Sequence, residues 1–476
     1  MLFISDLSLT LFLTQFTKVG TIWDLAKKKY LCNRHQSRFP PMKRILIPLL
    51  GLLLAAPAAA QLPAGRIYRS EFVTYDTREA AESRDRTGSS RYVPLRPAPF
   101  TASDGTIGLG QVIDVPSAWT DGAVYLHLEN TGSPYTLLIN GRPVAEVEDA
   151  LTPADFYVSP FLKEGPNVVL LDLRDSRTPE LQRGFIPAPA EPFANSYVLC
   201  QDKRSVVDFS AALVPDSTRR FGVLDLQIVV MNGFNYPEPV TVGYDLYDPT
   251  GKLLDFSINE VTVDGRSTDT VRFHPYVYHT YEHPWPGRNA PLYRLMLYTK
   301  RDGALREYIP LRLGFGTTGI EEGRLMRLGS EIAVREATYN AAGDPATTRK
   351  QLEALRASGV NMLFPDYPQP YWFYDLCDEM GLMVVDQAAI NAPDRKEDRR
   401  IGGTPSNDPA LLGEYMDRIR GMYFRSRNHP SVAGFALGSD SGNGYNMYKA
   451  YQWLKEAEPQ RFVIYLDADG EWNTDL

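Results

Sequence analysis

Apolar and polar residues alternate in short runs along the first two thirds of the chain, and turn-forming residues separate the runs. "GAVYLHLEN" (122–130) and "GVLDLQIVVMN" (222–232) have the two-residue period of strands with one buried face. "DPTG" and "KRDG" lie between such runs, where hairpin turns belong. The pattern predicts two β-sandwiches, over residues 96–199 and 200–316.

The pattern changes after Gly329, where apolar strand-like runs alternate with helical segments. Near-continuous apolar strands of this kind predict a parallel sheet covered by helices. We count five strands and four helices over residues 317–476, whereas a complete eight-stranded barrel takes about 250 residues. The expected fold is therefore an incomplete barrel of about five strands. The helices are predicted in "PATTRKQLEALRASG", "YWFYDLCDEMG", "DPALLGEYMDRIRGMYFRSRN" and "NMYKAYQWLKEAEP".

The N-terminal region contains a different apolar segment. "MKRILIPLLGLLLAAPAAAQ" has two basic residues, an apolar core and a small-residue cleavage site, which is the layout of a secretory signal peptide. We predict a signal peptide at 42–60, cleaved after Ala60. Met42 is then the expected start of translation, and residues 1–41 are expected to be a mis-called N-terminal extension. A membrane anchor is the alternative, but the apolar run is short for a span. Residues 61–95 are polar and charged, and they predict an extended arm.

The net charge and the cysteine content limit the classes of partner and the cellular compartments that can be expected. The net charge is −8 and no basic stripe is present, so a nucleic-acid partner is not expected. Cys200 and Cys377 remain after cleavage and lie in different predicted domains, so we expect free, buried thiols. No later transmembrane segment is predicted. The expected protein is exported, either periplasmic or extracellular and outer-membrane-associated, and it has no integral membrane segment.

Four longer stretches carry a family resemblance. They are "VYLHLENTGSPYTLLINGRPVAEVEDALTPADFYVSPFLKEGPNVVLLDL", "WPGRNAPLYRLMLYTKRDG", "DYPQPYWFYDLCDEMGLMVVDQAAI" and "RSRNHPSVAGFALGSDSGNG". They resemble glycoside hydrolase family 2, the family of β-galactosidases and β-glucuronidases, over most of residues 100–476. The resemblance implies a sugar-binding jelly-roll β-sandwich at 96–199, an immunoglobulin-like β-sandwich at 200–316 and a TIM-type glycosidase barrel at 317–476.

The resemblance also implies where the family's chemistry would lie. Retaining glycosidases use two carboxyl groups about 5–5.5 Å apart, one as acid/base and the other as nucleophile. The acid/base glutamate of the family motif "GNESG" corresponds here to Asp440, and the sugar-contacting asparagine before it corresponds to Ser439. Aspartate is one methylene shorter, and a displacement of about 1 Å can cost about 10²-fold in rate. Asp440 is therefore expected to be a degenerate acid/base position.

Other family positions differ as well. The histidine after strand two corresponds to Asp366, the arginine three residues earlier to Leu363, and the histidine at the end of strand one to Asn340. The Glu and His of the family's magnesium site correspond to Asn391 and Pro393. Proline offers no ligand atom, so we expect that site to be lost and predict no cofactor. The family's nucleophile belongs to strand seven, beyond the five strands predicted here.

The candidate residues share a position near the C-terminal ends of the barrel strands, the face where barrel active sites lie. Asp440 is either a residual general acid or a loop carboxylate bonded to nearby amides. A Ca²⁺ or Mg²⁺ site on Asp366, Asp386, Asp440 and Asp467 is a further alternative, although loop acids without a metal are commoner. The candidates for substrate binding are Asn340, Asp366, Tyr367, Ser439, Tyr445 and Trp472.

Three functions remain open. The first is an exported family-2-like protein that has lost catalysis and serves as a carbohydrate-binding or scaffolding module. The second is a retaining exo-β-glycosidase resembling β-galactosidase, either as a fragment or with altered chemistry. The third is an envelope assembly component, because unpaired edges at strands one and five would invite a partner strand. The expected partner is accordingly a glycan, or a protein that completes the half barrel.

Overall fold

The computed structural model describes residues 65–102, 105, 107–129, 131–173, 179–185, 193–287 and 289–476. The predicted extension, the signal peptide and the first four residues of the arm lie outside the described residues. Among the helices of the described part, none has both the length and the hydropathy that crossing a bilayer requires.

Ten antiparallel strands form the first sandwich. They are β1 (Gly65–Ile67), β2 (Tyr92–Pro94), β3 (Ala98–Thr101), β4 (Ile107–Val115), β5 (Ala123–Leu128), β6 (Tyr135–Ile139), β7 (Arg142–Val147), β8 (Ala154–Tyr157), β9 (Gly165–Leu173) and β10 (Tyr197–Gln201). Two short helices, α1 (Arg78–Ser83) and α2 (Ser117–Thr120), lie between them. The sheet orders are β1-β8-β5-β10-β2 and β3-β4-β9-β6-β7. Alternate residues of both sheets, such as Leu126 and Leu171, form a shared apolar core.

Eight strands form the second sandwich. They are β11 (Arg204–Pro215), β12 (Gly222–Asn232), β13 (Glu238–Tyr247), β14 (Leu253–Val263), β15 (Ser267–Phe273), β16 (Tyr276–Val277), β17 (Tyr293–Arg301) and β18 (Ala304–Leu313). One sheet has the order β11-β12-β15 with β16 also on β12, and the other has the order β14-β13-β17-β18. Most strands of the two sandwiches lie within 96–199 and 200–316, but β1 and β2 of the first sandwich lie before residue 96.

A small antiparallel sheet and a parallel sheet complete the fold. The small sheet contains β19 (Thr318–Glu321), β20 (Arg324–Arg327) and β21 (Ser330–Glu331). The parallel sheet contains β22 (Glu336–Thr338), β23 (Met362–Phe364), β24 (Met383–Gln387), β25 (Val432–Ala436) and β26 (Phe462–Ile464), side by side in chain order. The helices between its strands are α3 (Pro345–Ala357), α4 (Tyr371–Met380), α5 (Leu412–Ser426) and α6 (Tyr445–Ala457).

The helix ends follow local chemistry. The Asp344 side chain caps α3 by accepting the Thr347 N–H at 2.9 Å, and Pro345 takes the first helical position, where its missing N–H costs nothing. Helix α4 ends at Gly381, whose φ of 70° lies in the left-handed region that glycine adopts easily. All four predicted helices are therefore present.

Both faces of the parallel sheet are buried, which explains its continuous apolar runs. One face, including Val384 and Phe435, packs against the helices. The opposite face, including Val385 and Ile464, packs against Leu325 of β20 and its neighbours. This second cluster covers the surface that we expected an incomplete barrel to expose.

The outer edge of β26 is also occupied. The Asp475 N–H donates to the Val463 carbonyl at 2.8 Å, and the Val463 N–H donates to the Asp475 carboxylate at 2.8 Å. The Tyr465 N–H donates to the Thr474 hydroxyl at 3.1 Å. The open edge predicted at strand five is therefore covered by the chain itself, and a partner strand has no free ladder to join there.

Residues 65–95 are not the extended arm that their polarity predicts. Strand β1 pairs with β8, Tyr75 exchanges backbone hydrogen bonds with Tyr308 of β18, and Arg84 pairs with Asp375 of α4 at 2.7 Å. Buried apolar residues of this segment, including Phe72 and Val73, anchor it. The segment fills the space among all three units.

A buried ion cluster joins this segment to the first sandwich and to the parallel-sheet unit. The Arg425 guanidinium at the end of α5 contacts the carboxylates of Glu129 at 2.9 Å and Glu71 at 3.3 Å. All three side chains are at most 5% exposed. Glu71 also accepts from Arg86 at 2.8 Å. The first sandwich, the segment 65–95 and the parallel-sheet unit thus share one set of charges.

A histidine extends this cluster into the first sandwich. His127 lies 3.1 Å from the Asp155 carboxylate and 3.4 Å from that of Glu129. Burial alone would lower the pKa of His127, but Asp155 and Glu129 raise it to about 10. Burial alone would raise the pKa of Glu129, but Arg425 and His127 hold it low. The cluster is therefore charged at neutral pH.

Replacing Arg425 should destabilise the whole chain. Arg425→Ala removes the cation shared by two buried carboxylates, which keep only Arg86 and His127 as partners, and breaking a buried ion pair typically costs about 3–5 kcal/mol. We expect a clear fall in the urea midpoint followed by tryptophan fluorescence. Arg400→Ala is the control, because Arg400 forms an ion pair with Asp398 while its own side chain is 86% exposed. Equal midpoints for the two variants would contradict the role assigned to the cluster.

Candidate functional site

The loops that follow the five parallel strands meet at one end of the sheet. They bring Asn340, Asp366, Ser439, Asp440 and Asp467 to that end. This is the carboxyl end of the strands, where ligand sites of parallel sheets lie. The geometry of these side chains decides which of the predicted roles they can perform.

Asp440 forms an ion pair with a loop lysine. Its carboxylate contacts the Lys396 ammonium group, and the hydrogen bond and charge of Asp440 raise the pKa of Lys396. The Asp440 side chain is 49% exposed, and its backbone φ of 43° lies in the left-handed region. The Asp440 carboxylate is therefore already engaged by a cation of a neighbouring loop.

Asp467 holds the loop that carries Asp440. Its carboxylate accepts the backbone N–H groups of Ser441 at 2.7 Å and Gly442 at 3.0 Å. The Ser441 hydroxyl donates to the Ser439 carbonyl at 2.7 Å and accepts the Ala392 N–H at 2.8 Å. These hydrogen bonds hold the loop in one conformation, and the Asp467 carboxylate accepts two of them.

Two glycines allow this loop to approach its neighbours. Gly438 has a φ of 140°, and a Cβ there would lie 2.7 Å from the Ile390 carbonyl oxygen. Gly442 has a φ of 66°, and a Cβ there would lie 2.2 Å from the Lys396 carbonyl oxygen. Any side chain at either position would move the loop that presents Asp440.

Asn340 and Asp366 bind each other. The Asn340 amide donates to the Asp366 carboxylate at 2.7 Å, and its oxygen accepts the Asp366 N–H at 2.9 Å and the Gln369 amide at 3.2 Å. Gln387 donates to the Asp366 carbonyl at 2.8 Å and to the Ser439 hydroxyl at 3.3 Å. The structure thus brings three predicted residues together through two glutamines.

The two glutamines were not among the predicted site residues. Gln387 is the last residue of β24, and this strand-end position is a signal that the sequence contains. Gln369 lies three residues after Asp366, and nothing in its surroundings distinguishes it from an ordinary loop residue. Both add amide groups to the predicted face.

A loop of the first sandwich covers this face, and we call it the roof loop (residues 180–185). The Asn391 carbonyl accepts the Gly184 N–H at 3.0 Å, and its N–H donates back to the roof loop at 2.7 Å. The Phe185 ring contacts the Tyr367 ring edge-on, with centroids 5.7 Å apart. Tyr367 is only 9% exposed, so it packs under the roof loop.

The position expected to have lost its metal has a structural role instead. The Asn391 side-chain oxygen is buried and has no hydrogen-bond partner among the described residues. A Cβ at Gly184 would lie 1.9 Å from this oxygen, so the roof loop sits directly on Asn391. With Pro393 beside it, this donor set does not fit a divalent cation.

Tyr445 and Trp472 lie at the rim of the face. Tyr445 begins α6, is 38% exposed, and its N–H donates to Asn407 at 3.0 Å. Trp472 is 53% exposed and stacks on Tyr448 of α6, with centroids 5.3 Å apart. A cavity of about 170 Å³ lies beside Asp440, lined by residues that include Lys396, Glu397, Arg399, Asn443, Asp467 and Asp469.

Asp386 does not belong to this face. Strand alternation turns Val385 towards β20 and therefore turns Asp386 towards the helices. Its carboxylate accepts the Tyr374 hydroxyl at 2.7 Å, and burial raises its pKa. The four aspartates proposed as a metal site therefore do not come together.

Two other carboxylate and histidine groups have ligand atoms close together in the described part of the chain. One contains Glu71, His127 and Glu129, and Arg425 already neutralises it. The other contains Asp375, Asp378 and His429, where His429 lies 2.7 Å from Asp378 and the Arg84 guanidinium contacts Asp375. Both groups are paired with cations of the protein.

Comparison with known proteins identifies the unit that carries this face. Residues 342–475 match the family description "Glycosyl hydrolases family 2, TIM barrel domain". A β-galactosidase of Priestia megaterium is 26% identical over 368 residues, which cover 73% of this chain and 35% of that protein. A β-galactosidase of Vibrio cholerae is 26% identical over 360 residues, covering 72% and 34%. The chain spans about a third of the length of these relatives.

Solved structures give the same fold. A β-glucuronidase of Bacteroides uniformis superimposes with a TM-score of 0.65 at 16% identity, covering 85% of this chain and 52% of that one. A glycosyl hydrolase family 2 member of Bacteroides cellulosilyticus gives a TM-score of 0.62 at 15% identity, covering 77% and 51%. At these identities the likeness concerns the fold alone.

Removing the carboxylate of Asp467 should loosen the loop that carries Asp440. In Asp467→Ala, two backbone N–H groups lose a charged acceptor, and such a bond contributes about 1.5–3 kcal/mol. We expect amide hydrogen exchange at Ser441 and Gly442 to become at least about tenfold faster, as local opening becomes easier. Glu397→Ala, on the neighbouring exposed loop, is the control. Unchanged exchange in Asp467→Ala would show that the loop is held by other contacts.

Proposed function

We propose that this chain, which is a divergent member of glycoside hydrolase family 2, binds a carbohydrate at the C-terminal face of its parallel sheet without hydrolysing it. The observation that carries the proposal is the ion pair between Asp440 and Lys396. The family's acid has to deliver a proton to the leaving oxygen. A shortened carboxylate that is already bound to an ammonium group is poorly placed for that step.

The remaining groups of the face suit sugar hydroxyls. A hydroxyl both donates and accepts, and an amide or carboxylate can meet either need. Asn340, Asp366 and Gln387 form such a polar set, with the Ser439 hydroxyl beside it. The buried Gln369 holds Asn340 in place from within the protein. The preserved loop geometry around Asp440 supports a face that is still used for binding.

Hydrolysis is the second candidate, and one observation favours it. Asp440 keeps a carboxyl group at the acid position of the family resemblance, and the matched relatives from Priestia megaterium and Vibrio cholerae are β-galactosidases. In this alternative the chain is a retaining exo-β-glycosidase, and Asp440 still protonates the leaving group when a substrate displaces Lys396.

An assay on the mature protein separates the two candidates. We expect no turnover of nitrophenyl β-galactoside, β-glucuronide or β-mannoside, because Asp440 is paired. Calorimetry should detect binding of the corresponding methyl glycosides, and Asn340→Ala should weaken that binding about tenfold.

Asp440→Asn is the matched control in both measurements. Turnover that disappears in this variant would establish the second candidate and overturn the first. Absence of both turnover and binding would contradict both. Lys396→Ala adds a further test, because a gain of turnover on removing the lysine would show that the ion pair suppresses an intact acid.

Export is part of the proposal and is supported by the layout of residues 42–60. Expression from Met42 in a bacterium should give a mature protein that begins at Gln61, as measured by intact mass and N-terminal sequencing. Ala58→Arg should block cleavage, because a large charged residue does not fit the small-residue cleavage pattern. An uncleaved N-terminus in the unmodified protein would contradict export.

A further inference from the structure

A second and larger cavity lies away from the C-terminal face. We call it the junction cavity, since it lies where the second sandwich meets the β19–β21 sheet and the start of β26. Its volume is about 400 Å³, compared with about 170 Å³ beside Asp440. Small-ligand sites typically have about 300–1,000 Å³. The argument rests on five of its lining residues, which are Asp216, Arg219, Tyr281, Glu321 and Gln460.

An aromatic ring forms one wall of the junction cavity. Tyr281 is 38% exposed, and its ring meets the fully buried Phe315 edge-on with centroids 4.8 Å apart. The buried ring fixes Tyr281 and leaves part of it open. Two further tyrosines nearby, Tyr276 and Tyr278, are 61% and 59% exposed and pack around Phe221. Aromatic side chains of this kind have an apolar face and a polar tip, which suits a ligand with both characters.

A cation lines the same cavity, on a loop whose backbone is held by hydrogen bonds. The Asp216 carboxylate accepts three backbone N–H groups, those of Thr218 at 3.0 Å and of Arg220 and Phe221 at 2.8 Å each. The loop so held keeps Arg219 at a φ of 57°, an unfavourable region for arginine. The loop therefore fixes the backbone of Arg219, whose side chain is exposed.

The Arg219 guanidinium rests over Gly329. A Cβ at Gly329 would lie 3.2 Å from one of its nitrogens, which is a close approach to the end of a flexible side chain. Among the described residues, the guanidinium makes neither an ion pair nor a hydrogen bond. Its donors therefore remain available to a molecule in the junction cavity.

The other polar groups make the lining mixed in charge and in hydrogen-bonding capacity. Glu321 offers acceptors, Gln460 offers both a donor and an acceptor, and Arg219 offers donors only. The Asp216 carboxylate is already occupied by its own loop. The single available anion offsets the single available cation, so the lining favours an uncharged ligand with many hydroxyl groups.

We propose that the junction cavity is a second carbohydrate site, which takes one neutral sugar unit of a glycan chain. The sugar ring stacks on Tyr281, and its hydroxyls bind Arg219, Glu321 and Gln460. The choice of a carbohydrate rests on the function proposed above, whereas the cavity and its lining do not depend on it. Two separate sites on one chain would hold two parts of the same glycan, or two glycans.

The test measures glycan binding by the full mature protein at each site separately. The probes are β-1,4-linked galactotetraose, which is neutral, and tetragalacturonate, which is anionic. Hydrogen exchange locates binding, because the neutral probe should protect the amides of residues 214–221. Calorimetry should show binding of the neutral probe about tenfold weaker in Arg219→Gln, an exposed change that leaves the fold intact, and in Tyr281→Ala. Tyr281→Phe, which retains the ring, should bind as the unmodified protein does.

Asn340→Ala, at the C-terminal face, distinguishes this inference from the proposed function. Loss of protection at 214–221 in Arg219→Gln with binding retained at the other face would support the junction cavity alone. Binding reduced only by Asn340→Ala would overturn the junction cavity and leave the proposed function standing. Binding of the anionic probe alone at 214–221 would overturn the neutral-sugar assignment. Absence of protection at 214–221 by either probe would overturn the site.

Discussion

The docking of the first sandwich onto the parallel-sheet unit depends on one buried arginine and the two carboxylates that neutralise it. Arg425 ends a helix of the parallel-sheet unit, yet its carboxylate partners come from the segment 65–95 and from the first sandwich. A buried charge tolerates few alternative positions, because each displacement leaves it unpaired in a medium of low polarity. The cluster therefore sets how the domains dock, and the roof loop reaches the C-terminal face only in that docked arrangement.

Much of the fold could be predicted because it depends on local patterns. Alternation predicts the sandwiches, and apolar runs with capped helices predict the parallel unit, as α3 and α4 illustrate with Asp344 and Gly381. The prediction of an extended arm is wrong for residues 65–95, because polar residues outnumber the few apolar residues that anchor this segment. Phe72 and Val73 anchor the segment because neighbouring domains bury them. Neither the periodicity nor the composition of the segment indicates which domain will cover it.

The candidate site is likewise predictable where it depends on position along the chain, and not where it depends on contacts between distant residues. Asn340, Asp366, Ser439 and Asp440 follow strand ends, so chain position alone brings them to one face. Asp386 also lies near a strand end, one residue before the end of β24, but the alternation of side chains along the strand turns it towards the helices. The Lys396 contact and the Gly184 contact come from residues far away in the sequence. No spacing rule contains such contacts, and they are the ones that decide what Asp440 and Asn391 do.

The backbone hydrogen bonds between Asn391 and the roof loop mean that residues of two domains together form the C-terminal face. A sugar held there would contact groups that are assembled only when the first sandwich is docked. By linkage, any such ligand strengthens docking by as much as docking strengthens its own binding. A ligand bound at this face would then stabilise the contact between the first sandwich and the parallel-sheet unit. Under the proposed function, the glycan itself would therefore serve as a brace between the two domains.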